Sequence, residues 1–180
     1  MGKSRYAAKK LAVLGVLTAL SLITFLIENL FPPILIPGAK LGLANAFSFT
    51  ALIMFSPVEA FIVVALRTVL GAIFAGNLSA VMYSFTGGIT SMAVGSLLMY
   101  LAHPKISVVA VSVSSAVTHN LTQNLVFALI TSSPLVFSYS PYLILLGILS
   151  GAFIGATVQL TVKRVPLAVF EKFLKTEEKQ

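Results

Sequence analysis

The chain has 180 residues, 58% of them hydrophobic and only 9% charged. Soluble domains carry about 25% charged residues, so this composition excludes an ordinary water-soluble domain and points to lipid as the main solvent. The formal net charge of +7 comes from basic residues that flank apolar runs, as membrane-topology signals do, and not from a nucleic-acid-binding stripe.

A bilayer core about 30 Å thick takes about 20 residues per helix. The expectation is one all-α membrane domain over residues 1–180: a basic head (1–10), a bundle of six transmembrane helices (11–162) and a charged, amphipathic tail (163–180). The first span, about Leu11 to Phe31, follows Lys3, Arg5, Lys9 and Lys10. It is too long for a signal-peptide core and has no small-residue cleavage site, so it reads as a retained helix. Pro32, Pro33, Pro37 and Gly38 then break the chain into a loop with an apolar centre, expected to fold back over the protein.

The second span, about Leu41 to Phe55, is short. Ser56-Pro57 make a turn, with Pro57 suited to a first helical turn. The third span, about Val58 to Ala75, carries Arg67, and Gly76-Asn77 end it. The fourth, about Ala80 to Ala102, contains Thr86-Gly87-Gly88, where a kink or unwinding is expected. After His103-Pro104-Lys105 comes the fifth and most polar span, about Ile106 to Thr131. The sixth, about Tyr142 to Val162, carries Gly147, Ser150, Gly151 and Gly155, small enough for close helix contact. Head, tail and Lys105 together hold ten Lys/Arg on one side, against Lys40 alone on the other. That asymmetry predicts cytoplasmic termini.

Polar side chains are costly in a membrane, so their depth is informative. Lys40, Asn45, Arg67, Tyr83, Thr86, His119, Asn120, Gln123 and Asn124 converge on the outer half, beneath the 32–40 loop. That convergence predicts a lidded pocket open to the outside. His119 and Gln123 are four residues apart, as are Asn120 and Asn124, so the four are expected to form one patch about two turns tall on the fifth helix. They suit a ligand with donors and acceptors, or alternatively bond neighbouring helices together. Arg67 either pairs with Glu28 or, with Lys40, faces an anionic ligand group. Ala12, Gly15 and Ala19 form a small-residue stripe on the first helix, for internal packing or for docking a partner.

The run Ile36-Pro37-Gly38-Ala39-Lys40-Leu41-Gly42-Leu43-Ala44-Asn45 resembles the signature segment of the Gx transporter family, often labelled heptaprenyl diphosphate synthase component I. Arg67, Tyr83-Ser84-Phe85-Thr86-Gly87-Gly88 and His119-Asn120-Leu121-Thr122-Gln123 resemble it too. That family is similar to the substrate-binding S components of energy-coupling factor (ECF) transporters. The resemblance implies a six-helix bundle in a prokaryotic plasma membrane with an outward-facing site under a capping loop. It implies partners as well: an ECF transmembrane T subunit, docked on the Ala12/Gly15/Ala19 stripe, and two ATPase subunits. The ligand would be an isoprenoid diphosphate, a flavin or another vitamin-like compound.

The synthase label meets a chemical objection. Chain-elongating prenyl synthases hold magnesium on aspartate-rich motifs, because hard cations take carboxylate oxygens. This chain has no aspartate, and its glutamates are scattered. The expectation is therefore no enzyme, no cofactor and no metal site, with a noncatalytic accessory of heptaprenyl diphosphate or quinone synthesis as the alternative. A lone His119 without a paired carboxylate makes a poor acid/base catalyst. No Gly-rich phosphate loop is present, so transport would be powered by other chains.

Overall fold

A computed structural model describes residues 2–30, 42–76 and 79–164. Lys40, the 32–40 loop and the tail beyond Arg164 lie outside the described residues. Six α-helices follow in order: α1 (Gly2–Leu30), α2 (Asn45–Met54), α3 (Pro57–Ala75), α4 (Ser79–Ala102), α5 (Val108–Thr131) and α6 (Ser140–Arg164). A 3-10 turn at Pro134–Tyr139 leads into α6. No strand occurs among the described residues.

Among the described residues four helical segments are long and apolar enough to cross a membrane: Ala7–Glu28, Pro57–Ala75, Met82–Ala102 and Pro134–Arg164. The remaining two helices differ from them in different ways. α5 has 24 residues, about 36 Å at 1.5 Å per residue, and only its hydroxyls and amides keep it below that apolarity. α2 has 10 residues, about 15 Å, or roughly half a bilayer core. Large apolar side chains stay exposed all round the bundle, among them Leu11, Phe74, Leu101, Leu129 and Phe153. A surface this apolar suits lipid, and water would penalise it heavily.

Helix α2 is the centre of the bundle and packs against α1, α3, α4 and α6. Its Phe49, Ala51 and Leu52 join Val63, Val64, Met92, Val111 and Val158 in the buried core. The chain then turns at Ser56. Pro57 sits in the first turn of α3, where its missing N–H costs nothing, and Ser56 Oγ donates to the Glu59 carboxylate. Lys10 of α1 pairs with Glu59 and lies over the Phe55 ring. The head of α1 is thereby fastened to the α2–α3 turn. At the other end of α3, Gly76 adopts a left-handed conformation (φ 64°) that closes the helix.

The closest helix pair is α5 with α6. Gly147, Gly151 and Gly155 recur every four residues and face Val117, Val113 and Val109 in antiparallel register. A Cβ on these glycines would lie 3.0, 2.6 and 2.7 Å from the opposing valine Cα atoms. Backbone thus meets backbone, the close approach that small residues permit in lipid. Helix α4 departs from expectation, because it runs unbroken through Thr86-Gly87-Gly88. Its glycines serve contact: a Cβ on Gly87 would lie 2.7 Å from Gln123 Cγ, and one on Gly88 would lie 2.6 Å from Val64 Cγ1.

Candidate functional site

The interior start of α2 gathers several of the polar residues. Gly42 takes φ 70°, a backbone state open to glycine. It folds the chain so that Asn45 N–H donates to Gly42 O at 2.9 Å and Ala46 N–H to Leu43 O at 3.0 Å. Ser21, two-thirds of the way along α1, donates to Ala44 O at 2.8 Å. In the last turn of α1, Glu28 Oε1 accepts from Leu43 N–H at 2.8 Å. α2 therefore begins against the body of α1 and not at its end. Non-helical backbone at such depth is tolerated only where protein or a polar cavity surrounds it.

Arg67 reaches this point from α3. It is 2% exposed, and its Nη2 donates to Asn45 Oδ1 at 3.0 Å. Its guanidinium carbon lies 5.9 Å from the Phe25 ring centroid, a cation–π distance, and Glu28 is within electrostatic range. Phe25 in turn fills the space left by Gly71, where a Cβ would lie 2.5 Å from the ring. Of the two alternatives for Arg67, Glu28 is the one present within electrostatic range.

The four polar residues of α5 divide between two faces. Asn120 Nδ2 donates to Leu143 O at 2.9 Å and Asn124 Nδ2 to Ser140 Oγ at 2.9 Å, both on α6. His119 and Gln123 turn the other way, toward Gly87 on α4. All four are buried. One residue's step is about 100° on a helix, so the two i,i+4 pairs occupy neighbouring faces and not one patch.

On α4, Thr86 Oγ1 donates to Met82 O and Tyr83 O of its own helix. Half-buried Tyr83 stands edge-on to Phe127 of α5, 6.3 Å between ring centres. Below them lies a cavity of about 10 Å³, lined by Asn45, Phe49, Ser91, Met92, Ser112, Ser115, Ala116 and Ile154. It has room for about one water. Ser115 Oγ, in its wall, is buried and has no hydrogen-bond partner among the described residues, as is also true of Ser48 and Ser96. These interior hydroxyls were not singled out from sequence; serines inside an apolar run are the signal for them. A wider apolar groove of about 370 Å³ runs between α1 and α3, lined by Ile23, Leu26, Ile27, Leu30, Phe74 and Ala75.

The stripe on α1 has a clear placement. Ala12, Gly15 and Ala19 are all exposed, and a Cβ on Gly15 would meet nothing within 4 Å. Among the described residues nothing buries this stripe. Among the described residues no group of His, Cys or Glu side chains is arranged to hold a metal ion.

A protein-family model described as heptaprenyl diphosphate synthase component I matches residues 17–161. The chain belongs to that family. The matched segment includes Asn45, Arg67, Gly87 and the whole of α5, so the α2 start and the α4–α5 contact both fall inside it. Ala12 and Gly15 precede it, while Ala19 lies within. No individually curated protein matches the chain at a meaningful level of similarity.

Proposed function

We propose that this protein is the ligand-capturing subunit of an ECF-type transporter, with six membrane-embedded helices, α2 reaching through about half the bilayer core, and both termini in the cytoplasm of a prokaryotic cell. The observation that carries this reading is the half-length α2, which starts inside the bundle beside buried Arg67 and Asn45. Interrupted helices whose starts lie at mid-membrane depth are a recurrent way to build a substrate site in transporters. The chain holds five glutamates and no aspartate, so it lacks the aspartate-rich motifs that hold magnesium in chain-elongating prenyl synthases.

The exposed Ala12/Gly15/Ala19 face supports the partner half of the proposal. A small-residue stripe permits close approach of another helix, here a T subunit linked to two ATPases. The ligand is a small vitamin-like or isoprenoid-related molecule, captured near Asn45, Arg67, His119 and Gln123. Tyr83 and Thr86 stand on the adjoining face of α4, and Lys40 on the segment leading into α2.

The family's description as heptaprenyl diphosphate synthase component I favours a second reading, a noncatalytic membrane accessory of heptaprenyl diphosphate or quinone synthesis. Affinity purification from membranes separates the two. Recovery of a T subunit and ATPases is the expected result, whereas a soluble prenyl synthase without ATPases establishes the accessory role. A reporter fused to the C-terminus is expected to read cytoplasmic; an external signal overturns the six-span topology.

A further inference from the structure

The start of α2 already holds an anion, and that anion belongs to the chain itself. Helix N-termini are electropositive and bind oxyanions through backbone N–H groups. Here Glu28 Oε1 takes the Leu43 N–H, just ahead of the first turn. Arg67 adds a second positive element. It is 2% exposed, donates from Nη2 to Asn45, the first residue of α2, and its Nε has no hydrogen-bond partner among the described residues. A guanidinium offers five N–H donors in a fixed fork, a shape that matches carboxylate and phosphate oxygens.

The geometry points to an oxyanion-binding site in which Glu28 stands in for the ligand. A carboxylate or phosphate group displaces the Glu28 side chain and takes over the Leu43 N–H and the Arg67 guanidinium. This deepens the capture-subunit reading, on which it rests, by giving the ligand a negative charge. Access is consistent with exchange: Gly42, Leu43 and Glu28 are half-buried, while Asn45 and Arg67 are buried behind them. A molecule arriving at the start of α2 therefore meets the carboxylate first. Gly42 also leaves room for the Asn45 amide, since a Cβ there would lie 3.1 Å from Asn45 Nδ2.

The exchange has an electrostatic logic. A buried arginine in lipid must keep a counter-charge or a hydrated cavity. With Glu28 in place, the empty protein retains one; when the ligand binds, one anion replaces another. Glu28 is thus a competitor, and removing its charge must strengthen ligand binding. A purely structural ion pair gives no such gain.

The test uses the detergent-purified full chain and follows thermal unfolding during titration with sodium pyrophosphate and, separately, sodium citrate, at matched ionic strength. Glu28→Gln keeps an oxygen for the Leu43 N–H and removes the charge. The expected result is a fall in half-saturating concentration for at least one probe by about 5- to 150-fold, the usual range for coupled sites. Arg67→Lys is expected to raise it in both backgrounds. Pyrophosphate against citrate tells a phosphate ligand from a carboxylate.

An unchanged or weaker response of Glu28→Gln to both probes overturns the proposal, and so does the absence of any response in wild type and variant alike. If Glu28→Gln does not fold, Glu28→Asp, with the same charge on a shorter arm, is expected to show the same direction. Failure of both to fold marks Glu28 as purely structural and also overturns the proposal. Recovery of a T subunit with a neutral bound molecule leaves the capture-subunit reading intact while this one falls. Loss of partner and ligand together removes both.

Discussion

Arg67 Nη2 donates to Asn45 Oδ1 across 3.0 Å and joins the middle of α3 to the first residue of α2. Both side chains are buried, so bulk water competes little for the bond. Hydrogen bonds to charged groups contribute about 1.5–3 kcal/mol. Asn45→Ala is expected to destabilise the chain by about that amount, measured as a lowered unfolding midpoint in detergent. A change below about 0.5 kcal/mol would mean that Arg67 does not depend on this acceptor.

Two glycines give a paired prediction about packing. A methyl group on Gly87 would lie 2.7 Å from Gln123 Cγ and 3.1 Å from His119 O, and the latter is backbone and cannot move aside. Gly87→Ala is expected to cost about 1–3 kcal/mol by overpacking. Gly15→Ala, with nothing within 4 Å, is expected to stay within about 0.5 kcal/mol of wild type. Parallel melts of the two variants check the contrast.

The divided α5 face separates stability from binding. Asn120→Ala removes the bond to Leu143 O and is expected to cost about 1 kcal/mol, typical for interhelical bonds in membranes. Asn124→Ala, which frees Ser140, is expected to cost a similar amount. Gln123→Ala is expected to leave the melting temperature nearly unchanged and to deplete the molecule that co-purifies, read by mass spectrometry. Equal effects of all three on stability would assign Gln123 to packing as well.

The exposed face of α1 predicts a different phenotype. Gly15→Leu is expected to leave expression and melting intact, because the site is open. It is expected to reduce recovery of the T subunit and ATPases at least tenfold in pull-downs. Undiminished recovery would move the docking surface elsewhere.

Several features were legible in the chain before any coordinates. Composition specified a lipid solvent, because 9% charged residues cannot cover a water-soluble surface. The punctuation at Ser56-Pro57 and Gly76 marked helix ends, because each effect is local to the backbone. The sixth-helix glycines were readable as a close-packing face, although the valines opposite them were not.

Other assignments depend on distance between segments far apart in sequence. Thr86-Gly87-Gly88 reads as a weak point of α4, yet the helix is continuous and the glycines admit Gln123 and Val64. His119 to Asn124 reads as one patch, yet Asn120 and Asn124 are committed to α6. The sequence by itself determined the solvent, the helix ends and the list of costly polar residues, since those follow from hydropathy and backbone chemistry. Only the tertiary structure decided that α2 starts inside the bundle and that Glu28, Asn45 and Arg67 meet there. Their convergence comes from three helices packing together, and no local pattern encodes which partner a buried charge will find.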